Sequence, residues 1–211
     1  MPRTKDQFKE IKENRRAEIL KAALPLFSLQ GYDAVKVDDI TKTCGCSHGL
    51  FYHYFSSKED LFHTMMDESK AVGKRCYPRE WLLNNGPVEA VVHFVDNVLD
   101  LLINDEENCY YMYLYLTMKY QKTLPKPKKK EPTHKYFPEL LLEIIEKGQN
   151  EHTFNEENPH ELIHIFLSLL RGLFYERLQS GRKLFHCPNK NLLLRVLLKE
   201  NTISSLEKEV K

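Results

Sequence analysis

The sequence has little that would place it in a membrane or in a disulfide-rich class. No uncharged apolar run approaches the roughly 18 residues that a membrane span requires. The N-terminus, MPRTKDQFKEIKENRR, lacks the apolar core of a secretory signal, so we expect a cytoplasmic protein that contacts no membrane. The 5 cysteines are odd in number and irregularly spaced, which fits reduced thiols better than a disulfide framework.

An excess of one charge sign is also missing. The chain carries 31 Lys and Arg against 30 Asp and Glu, for a formal net charge of +1. A protein that binds nucleic acid presents a basic face. Such a face would have to come from local placement of the Arg3–Arg16 arm, Lys36, Lys42 and Lys58. With 42% hydrophobic and 29% charged residues, the composition is that of an ordinary globular protein.

Residues 35–61, VKVDDITKTCGCSHGLFYHYFSSKEDL, hold the most informative pattern in the chain. Val37, Ile40 and Thr41 have the spacing of one helix face. Gly45 predicts a tight reversal after that helix, because glycine tolerates the left-handed conformation. Ser47 predicts the cap of a second helix. Two short helices joined by such a turn form a helix-turn-helix, whose second helix enters the major groove of DNA.

The segment SSKED, residues 56–60, predicts the start of a further helix, because a serine followed three residues later by an acid forms a capping box. The whole run CGCSHGLFYHYFSSKEDLF resembles the TetR/AcrR family of regulators, and so does the upstream segment AEILKAALPLFSLQGYDAVKVDDI. The likeness covers about the first 65 residues. The residues in register with the family pattern are Gly45, Ser47, Gly49, Tyr52, Phe55, Lys58 and Leu61.

The resemblance implies an all-α fold of about nine helices, with an N-terminal three-helix helix-turn-helix domain and a C-terminal helical ligand-binding and dimerisation domain. We place the DNA-binding domain at residues 1–62 and the effector-binding and dimerisation domain at residues 63–211. In the family, the final two helices pair with those of a second copy. The expected partners are therefore a second copy of the chain, an operator of double-stranded DNA and a small-molecule effector.

The same resemblance implies which side chains contact DNA. Tyr52 and His53 would donate to phosphates, and Lys58 at a helix N-terminus would hold another phosphate. His48 is the candidate for a base-edge contact, while Leu50 would pack on a thymine methyl group. Core packing is the alternative for Tyr52 and Leu50. The predicted DNA-binding residues are Ser47, His48, Gly49, Leu50, Tyr52, His53 and Lys58.

One departure from the family pattern concerns the first helix of the motif. Asp38 stands where a basic or polar phosphate contact is common, and a carboxylate there would repel the DNA backbone.

Effector-binding residues can be proposed from helical periodicity alone. The C-terminal part is rich in aromatic residues, which favours an apolar or aromatic ligand in a mostly apolar cavity. Each candidate is also compatible with ordinary core packing. The candidates are His93, Phe94, Asn97, Tyr111, Tyr115, Met118 and His164.

Two other patterns point to different chemistry. His160-Glu161-Leu162-Ile163-His164 matches H-E-x-x-H, in which two histidines bind zinc and the glutamate acts as a base. A zinc-dependent hydrolase is therefore the alternative function; it needs a third ligand, for which Glu176 is a candidate. Cys44 and Cys46, near His48, could form a metal or redox sensor, but the favoured interpretation is that both serve as small hydrophobes.

The sequence therefore predicts a homodimeric, ligand-responsive DNA-binding regulator, and more specifically a repressor that an effector releases from a palindromic operator. We predict neither enzymatic activity, nor a cofactor, nor a metal site. A helical adaptor that uses the same fold without DNA is a third class, which a lack of salt-dependent DNA affinity would reveal.

Overall fold

The computed structural model describes residues 5–117, residue 125 and residues 137–209, with side-chain environments for 12–117, 125 and 137–208. Within these ranges the chain is all-α, as predicted. Eleven helices are formed there, against about nine expected, and the two shortest are Arg79–Asn84 and Lys190–Leu194. The helices are α1 (Lys5–Gln30), α2 (Val37–Cys44), α3 (His48–Tyr54), α4 (Lys58–Cys76), α5 (Arg79–Asn84), α6 (Pro87–Asn104), α7 (Glu106–Thr117), α8 (Phe137–Asn150), α9 (Pro159–Ser180), α10 (Lys190–Leu194) and α11 (Glu200–Glu209).

The described residues form two compact units. The first takes its residues from 1–70 and 110–129, and the second takes them from 71–109 and 130–211. The predicted functional boundary at residue 62 falls inside α4 and stays a prediction.

The first unit is built on an aromatic cluster. Phe27 of α1 and Phe62 of α4 meet edge to face with ring centroids 5.4 Å apart, and Tyr32 lies 4.9 Å from Phe62. Ile40 of α2 and Phe51 of α3 are fully buried. Aromatic pairs of this geometry stabilise a core beyond the area they bury, so α1 and α4 form a firm base for the two short helices.

The second unit has an aromatic core of its own. Phe94 of α6 and Phe137 of α8 have ring centroids 4.5 Å apart, and Tyr77 lies 4.4 Å from Phe137. Phe154 packs so closely on α8 that a Cβ atom at Gly148 would collide with its ring. Only glycine therefore fits at that point of α8.

Arg177 of α9 is a buried charge within the second unit, with 1% of its surface exposed. Its Nε donates to the carbonyl of Leu102 at 2.8 Å, in the last turn of α6, where the helix dipole favours a cation. Its Nη2 lies 3.6 Å from a carboxylate oxygen of Glu106. The guanidinium thus joins α9 to the junction between α6 and α7.

No helix in the described ranges combines the length and apolar character needed to cross a bilayer.

Candidate nucleic-acid interface

The turn between α2 and α3 has the predicted geometry. Gly45 ends α2 with φ 64° and ψ 34°, in the left-handed region that glycine adopts at little cost. The N–H of Cys46 donates to the carbonyl of Thr41 at 3.0 Å, which closes the end of α2. The reversal predicted from Gly45 is therefore confirmed.

Ser47 caps α3 as predicted. Its backbone is extended, and its Oγ accepts the N–H of Leu50 at 3.1 Å. This contact satisfies one of the donors that the first turn of a helix leaves unpaired. Phe51 and Phe55 are buried and anchor α3 in the first unit, so the opposite side of the helix is presented to solvent.

The exposed side of α3 carries most of the predicted DNA-binding residues. His48, Gly49 and His53 are exposed, and Tyr52 keeps 53% of its surface accessible. Tyr52 is therefore not packed in the core, which was the alternative for this residue, and its ring contacts Phe51 edge-on. Leu50 is half-buried. Of the predicted set, the structure thus brings Ser47, His48, Gly49, Tyr52 and His53 together on one accessible surface.

Gly49 is not required by the packing of the first unit. Its backbone is ordinary helix, and a Cβ atom added there would meet only Ser47 Oγ, at 3.9 Å. Such a contact is comfortable, so local sterics do not explain the glycine. Close approach of another backbone to α3 would explain it.

Asp38 and His48 form a pair across the turn, with Asp38 Oδ1 3.2 Å from His48 Nε2. Both side chains are more than half exposed. The carboxylate that departs from the family pattern thus has a partner, which is the predicted base-reading residue. This contact joins two helices and could not be read from spacing along one of them.

Lys58, the first residue of α4, is placed differently from the exposed residues of α3. Its Nζ donates to the carbonyls of Tyr32 and Val35, both at 2.9 Å, and lies 4.0 Å from the centroid of the Tyr32 ring. A lysine ammonium has three donors, and these two carbonyls take two of them. In this structure Lys58 holds the loop between α1 and α2, and its phosphate contact stays a prediction.

A second contact secures the same loop. The hydroxyl of Tyr32 donates to Glu59 Oε1 at 2.7 Å. This hydrogen bond is the largest cause that lowers the pKa of Glu59 to about 2. Burial, followed by the bond to Glu59, raises the pKa of Tyr32 far above its ordinary value. Sequence reasoning missed Tyr32 as a positioning residue.

The start of α4 also has the predicted caps. Ser57 Oγ accepts the N–H of Asp60 at 3.1 Å, and the carboxylate of Asp60 accepts the N–H of Ser56 at 3.0 Å. The first contact is the serine half of a capping box, while the carboxylate of Asp60 reaches the N–H one residue before the cap, so the position of Lys58 at the first turn of a helix is fixed locally.

The predicted effector residues are dispersed. Phe94 is buried in the aromatic cluster of the second unit, and His164 is exposed on α9. Tyr111 and Tyr115 belong to the first unit, where Tyr111 is buried and Tyr115 half-buried. Met118 lies outside the described residues.

The two remaining effector candidates do meet. Asn97 Nδ2 donates to the carbonyl of Cys76 at 3.1 Å and lies 3.0 Å from His93 Nε2. Asn97 also lines a small open cleft of about 170 Å³ in the second unit. The other lining residues of this cleft are Val72, Arg75, Cys76, Asp100, Leu101, Asp105 and Asn108.

The H-E-x-x-H segment does not form a metal centre in the described part of the chain. His160 and His164 are both exposed on α9. No group of three or more His, Cys, Asp or Glu side chains suited to a metal occurs among the described residues. Zinc in a protein needs at least three such ligands, so the hydrolase alternative has no support.

Comparison with known proteins points to the same kind of protein as the helix-turn-helix geometry does. Residues 19–65 match the sequence model of a protein family described as bacterial regulatory proteins, tetR family. The HTH-type transcriptional repressor AcnR of Corynebacterium diphtheriae (strain ATCC 700971 / NCTC 13129 / Biotype gravis) is 27% identical over 168 residues, which cover 79% of this chain and 82% of AcnR.

Two solved structures share the fold. The MbdR regulator from Azoarcus sp. CIB superposes with a TM-score of 0.66 at 22% identity, covering 88% of this chain and 97% of MbdR. AibR, solved in complex with isovaleryl coenzyme A and operator DNA, gives a TM-score of 0.59 at 15% identity, covering 85% of this chain and 93% of AibR. The matched residues, the helix-turn-helix geometry and the relatives together support a TetR-family transcriptional regulator.

Proposed function

We propose that this protein is a homodimeric repressor that binds a palindromic operator and leaves it when a small effector binds. The observation that carries the proposal is the exposed surface of α3, where His48, Gly49, Tyr52 and His53 have no role in the core. A helix of this kind can enter the major groove with its N-terminal side chains at base edges. The similarity to AcnR extends over most of its length, and AcnR is a repressor, which supports repression rather than activation of transcription.

The roles of the side chains follow from their chemistry. His48 reads a base edge, while Tyr52, His53 and the remaining N–H of Lys58 contact phosphates. Ser47 keeps the first turn of α3 in place, and Leu50 packs on a thymine methyl group. Gly49 lets the duplex approach the backbone of α3 closely.

Dimerisation is proposed to use α9. On this helix Ile165 and Leu169 keep 51% and 43% of their surfaces exposed. A Cβ atom at Gly172 would meet nothing within 4 Å, so a second helix could approach closely there. An apolar strip with a small residue close by is suited to self-association of two identical helices. A twofold dimer would place two copies of α3 about 34–36 Å apart, in successive major grooves.

The effector is proposed to bind within residues 63–211 and to be a small apolar or aromatic molecule. The support is the aromatic cluster of Phe94, Phe137 and Phe166, together with the polar pair His93 and Asn97 on the same helix as Phe94. The likeness to AibR, whose structure holds isovaleryl coenzyme A together with operator DNA, adds weight to effector control. Effector and DNA would weaken each other reciprocally, typically by about 1–3 kcal/mol.

A direct test uses the full-length protein and fluorescently labelled genomic fragments, including those that flank its own gene. We expect one fragment to bind with an affinity that falls steeply between about 50 and 200 mM salt. A library of small apolar and aromatic molecules is then screened for release. If every fragment binds with an affinity that is weak and independent of salt, a helical adaptor would replace the repressor as the better account.

A further inference from the structure

Cys44 and Cys46 are brought together by the turn that positions α3. Cys44 is the last residue of α2, and Cys46 precedes the cap residue Ser47. Their sulfur atoms lie 2.6 Å apart, and both residues are half-buried rather than enclosed. An S–S bond is about 2.05 Å long, so a shift of roughly half an ångström would bring the two sulfurs to bonding distance.

We propose that Cys44 and Cys46 are a modification site, at which a low-molecular-weight disulfide oxidises the pair to an intrachain disulfide that weakens DNA binding. The chemistry of the site rests on the two thiols alone. Its effect on DNA rests on the proposed function, because only then does the position of α3 matter to affinity.

The reaction proceeds by two thiol–disulfide exchanges. The Cys44 thiolate attacks one sulfur of the disulfide RSSR, which forms a mixed disulfide on Cys44 and releases the first thiol, RSH, after protonation. Cys46 then gives up its proton and attacks the Cys44 sulfur, which releases the second RSH. Two protein thiols are oxidised, and one RSSR is reduced to two RSH.

The order of attack depends on the surroundings of Cys46. Burial, followed by the hydrogen bond with Cys44, raises the pKa of the Cys46 thiol to about 11. A thiol with so little thiolate at neutral pH is a slow first nucleophile. As the second nucleophile it is already next to the sulfur that it attacks, and this proximity compensates for the low thiolate fraction.

The three other cysteines differ from this pair. Cys76 and Cys109 are buried, and burial raises the pKa of their thiols to about 11 and about 12. Cys187 is half-buried and lies in the other unit. The pair is therefore the place where a mild oxidant should form an intrachain bond first.

The expected loss of DNA affinity comes from the position of the pair directly before α3. Closing the bond pulls Cys46 toward the end of α2, and Ser47 and His48 are the next two residues. A binding site has to be held within about 0.5 Å of its productive geometry, and the movement that closes the bond reaches that limit. We therefore expect the oxidised protein to bind DNA at least about threefold more weakly, a change that dithiothreitol reverses.

The experiment uses the folded full-length protein, oxidised glutathione as the probe and iodoacetamide to block the remaining thiols after unfolding. Trypsin releases both cysteines in one peptide, residues 43–58, since cleavage occurs after Lys42 and Lys58. We expect this peptide to lose two hydrogens and to take no alkyl group, while the peptides with Cys76 and Cys109 are alkylated. The matched variant Cys46→Ser should instead carry glutathione on Cys44.

Each readout decides a separate part of the proposal. A peptide 43–58 that takes two alkyl groups after treatment with oxidised glutathione, or that is linked to a second chain, would overturn the site. Closure of the bond with unchanged DNA affinity would overturn its regulatory effect. If the reduced protein binds no DNA, the repressor function fails, while the peptide mass still decides whether the site exists.

Discussion

Asp38 and His48 face each other across the turn of the helix-turn-helix, with Asp38 Oδ1 3.2 Å from His48 Nε2. The pair is exposed, so its contribution to stability is small, about 0–1 kcal/mol. Under the proposed function, the pair would orient the imidazole on α3 and place a negative charge where DNA phosphates approach. The two effects would oppose each other, since one would favour base selection and the other would lower affinity.

Asp38→Asn should separate these effects. We expect roughly fivefold tighter binding to operator and to random DNA alike, equivalent to about 1 kcal/mol, because one repelled charge is removed. Preference for the base that His48 contacts should weaken at the same time. Fluorescence anisotropy on both DNAs measures this, with Asp67→Asn on α4 as a control that removes another exposed carboxylate. Unchanged affinity for random DNA would show that Asp38 does not face the duplex.

Gly49→Ala should stabilise the protein and impair its binding to DNA. The new methyl group meets only Ser47 Oγ at 3.9 Å, so the helix gains alanine's propensity without a clash. The expected gain in the free energy of unfolding is about 0.5–1 kcal/mol. If the duplex approaches α3 closely, operator affinity falls about tenfold, or about 1.4 kcal/mol. Urea denaturation and anisotropy give the two values, and unchanged DNA affinity would leave the glycine without a functional reason.

Lys58→Ala should lower stability as well as DNA affinity. Two carbonyls, those of Tyr32 and Val35, lose a charged donor. Hydrogen bonds to charged groups contribute about 1.5–3 kcal/mol, so we expect a loss of about that size in the free energy of unfolding. The salt dependence of DNA binding should flatten by about one ion at most. Lys42→Ala removes an exposed lysine of α2 and should leave stability within about 0.5 kcal/mol of wild type.

The Tyr32–Glu59 hydrogen bond predicts a pH dependence of stability. The pKa of Glu59 is lowered from 4.5 to about 2, with the hydrogen bond from Tyr32 as the largest cause. A carboxyl group with a lowered pKa in the folded state contributes stability above its unfolded pKa, and that contribution is lost as pH falls. Thermal unfolding between pH 5 and about 2 should therefore show a shallower decline for Tyr32→Phe than for wild type. Parallel profiles would mean that the bond does not shift the titration of Glu59.

The exposed strip of α9 predicts the oligomeric state. Leu169→Glu places a charge in an apolar contact between two copies, which association strongly disfavours. Analytical ultracentrifugation should show a dimer for wild type and a monomer for this variant. Leu184→Glu is the matched control, because Leu184 keeps 79% of its surface exposed outside α9. Dimers for both variants would place the interface elsewhere.

The parts of the site that sequence can predict are those governed by neighbouring residues. The left-handed turn at Gly45, the cap of Ser47 on α3 and the cap of Ser57 on α4 all involve contacts within a few positions. Residue chemistry predicts these three features, and the structure confirms them. The resemblance predicts the all-α architecture, and the short helices α5 and α10 account for the larger number of elements.

The contacts that sequence could not predict join residues that are distant along the chain or on different elements. Lys58 reaches carbonyls more than 20 positions away, and Arg177 reaches a carbonyl 75 positions away. The dispersal of the effector candidates has a related cause. Helical periodicity places Phe94 on an inner face but does not tell whether that face borders a cavity or, as here, other rings.

The central claim is that α3 reads base pairs from a twofold dimer, and selection from a randomised DNA library tests it most directly. Wild type and His48→Ala are taken through the same selection at a fixed salt concentration. The account predicts that wild type selects an inverted repeat and that the variant loses preference at one symmetry-related position in each half. Identical preferences for the two proteins, or the absence of any repeat, would contradict it.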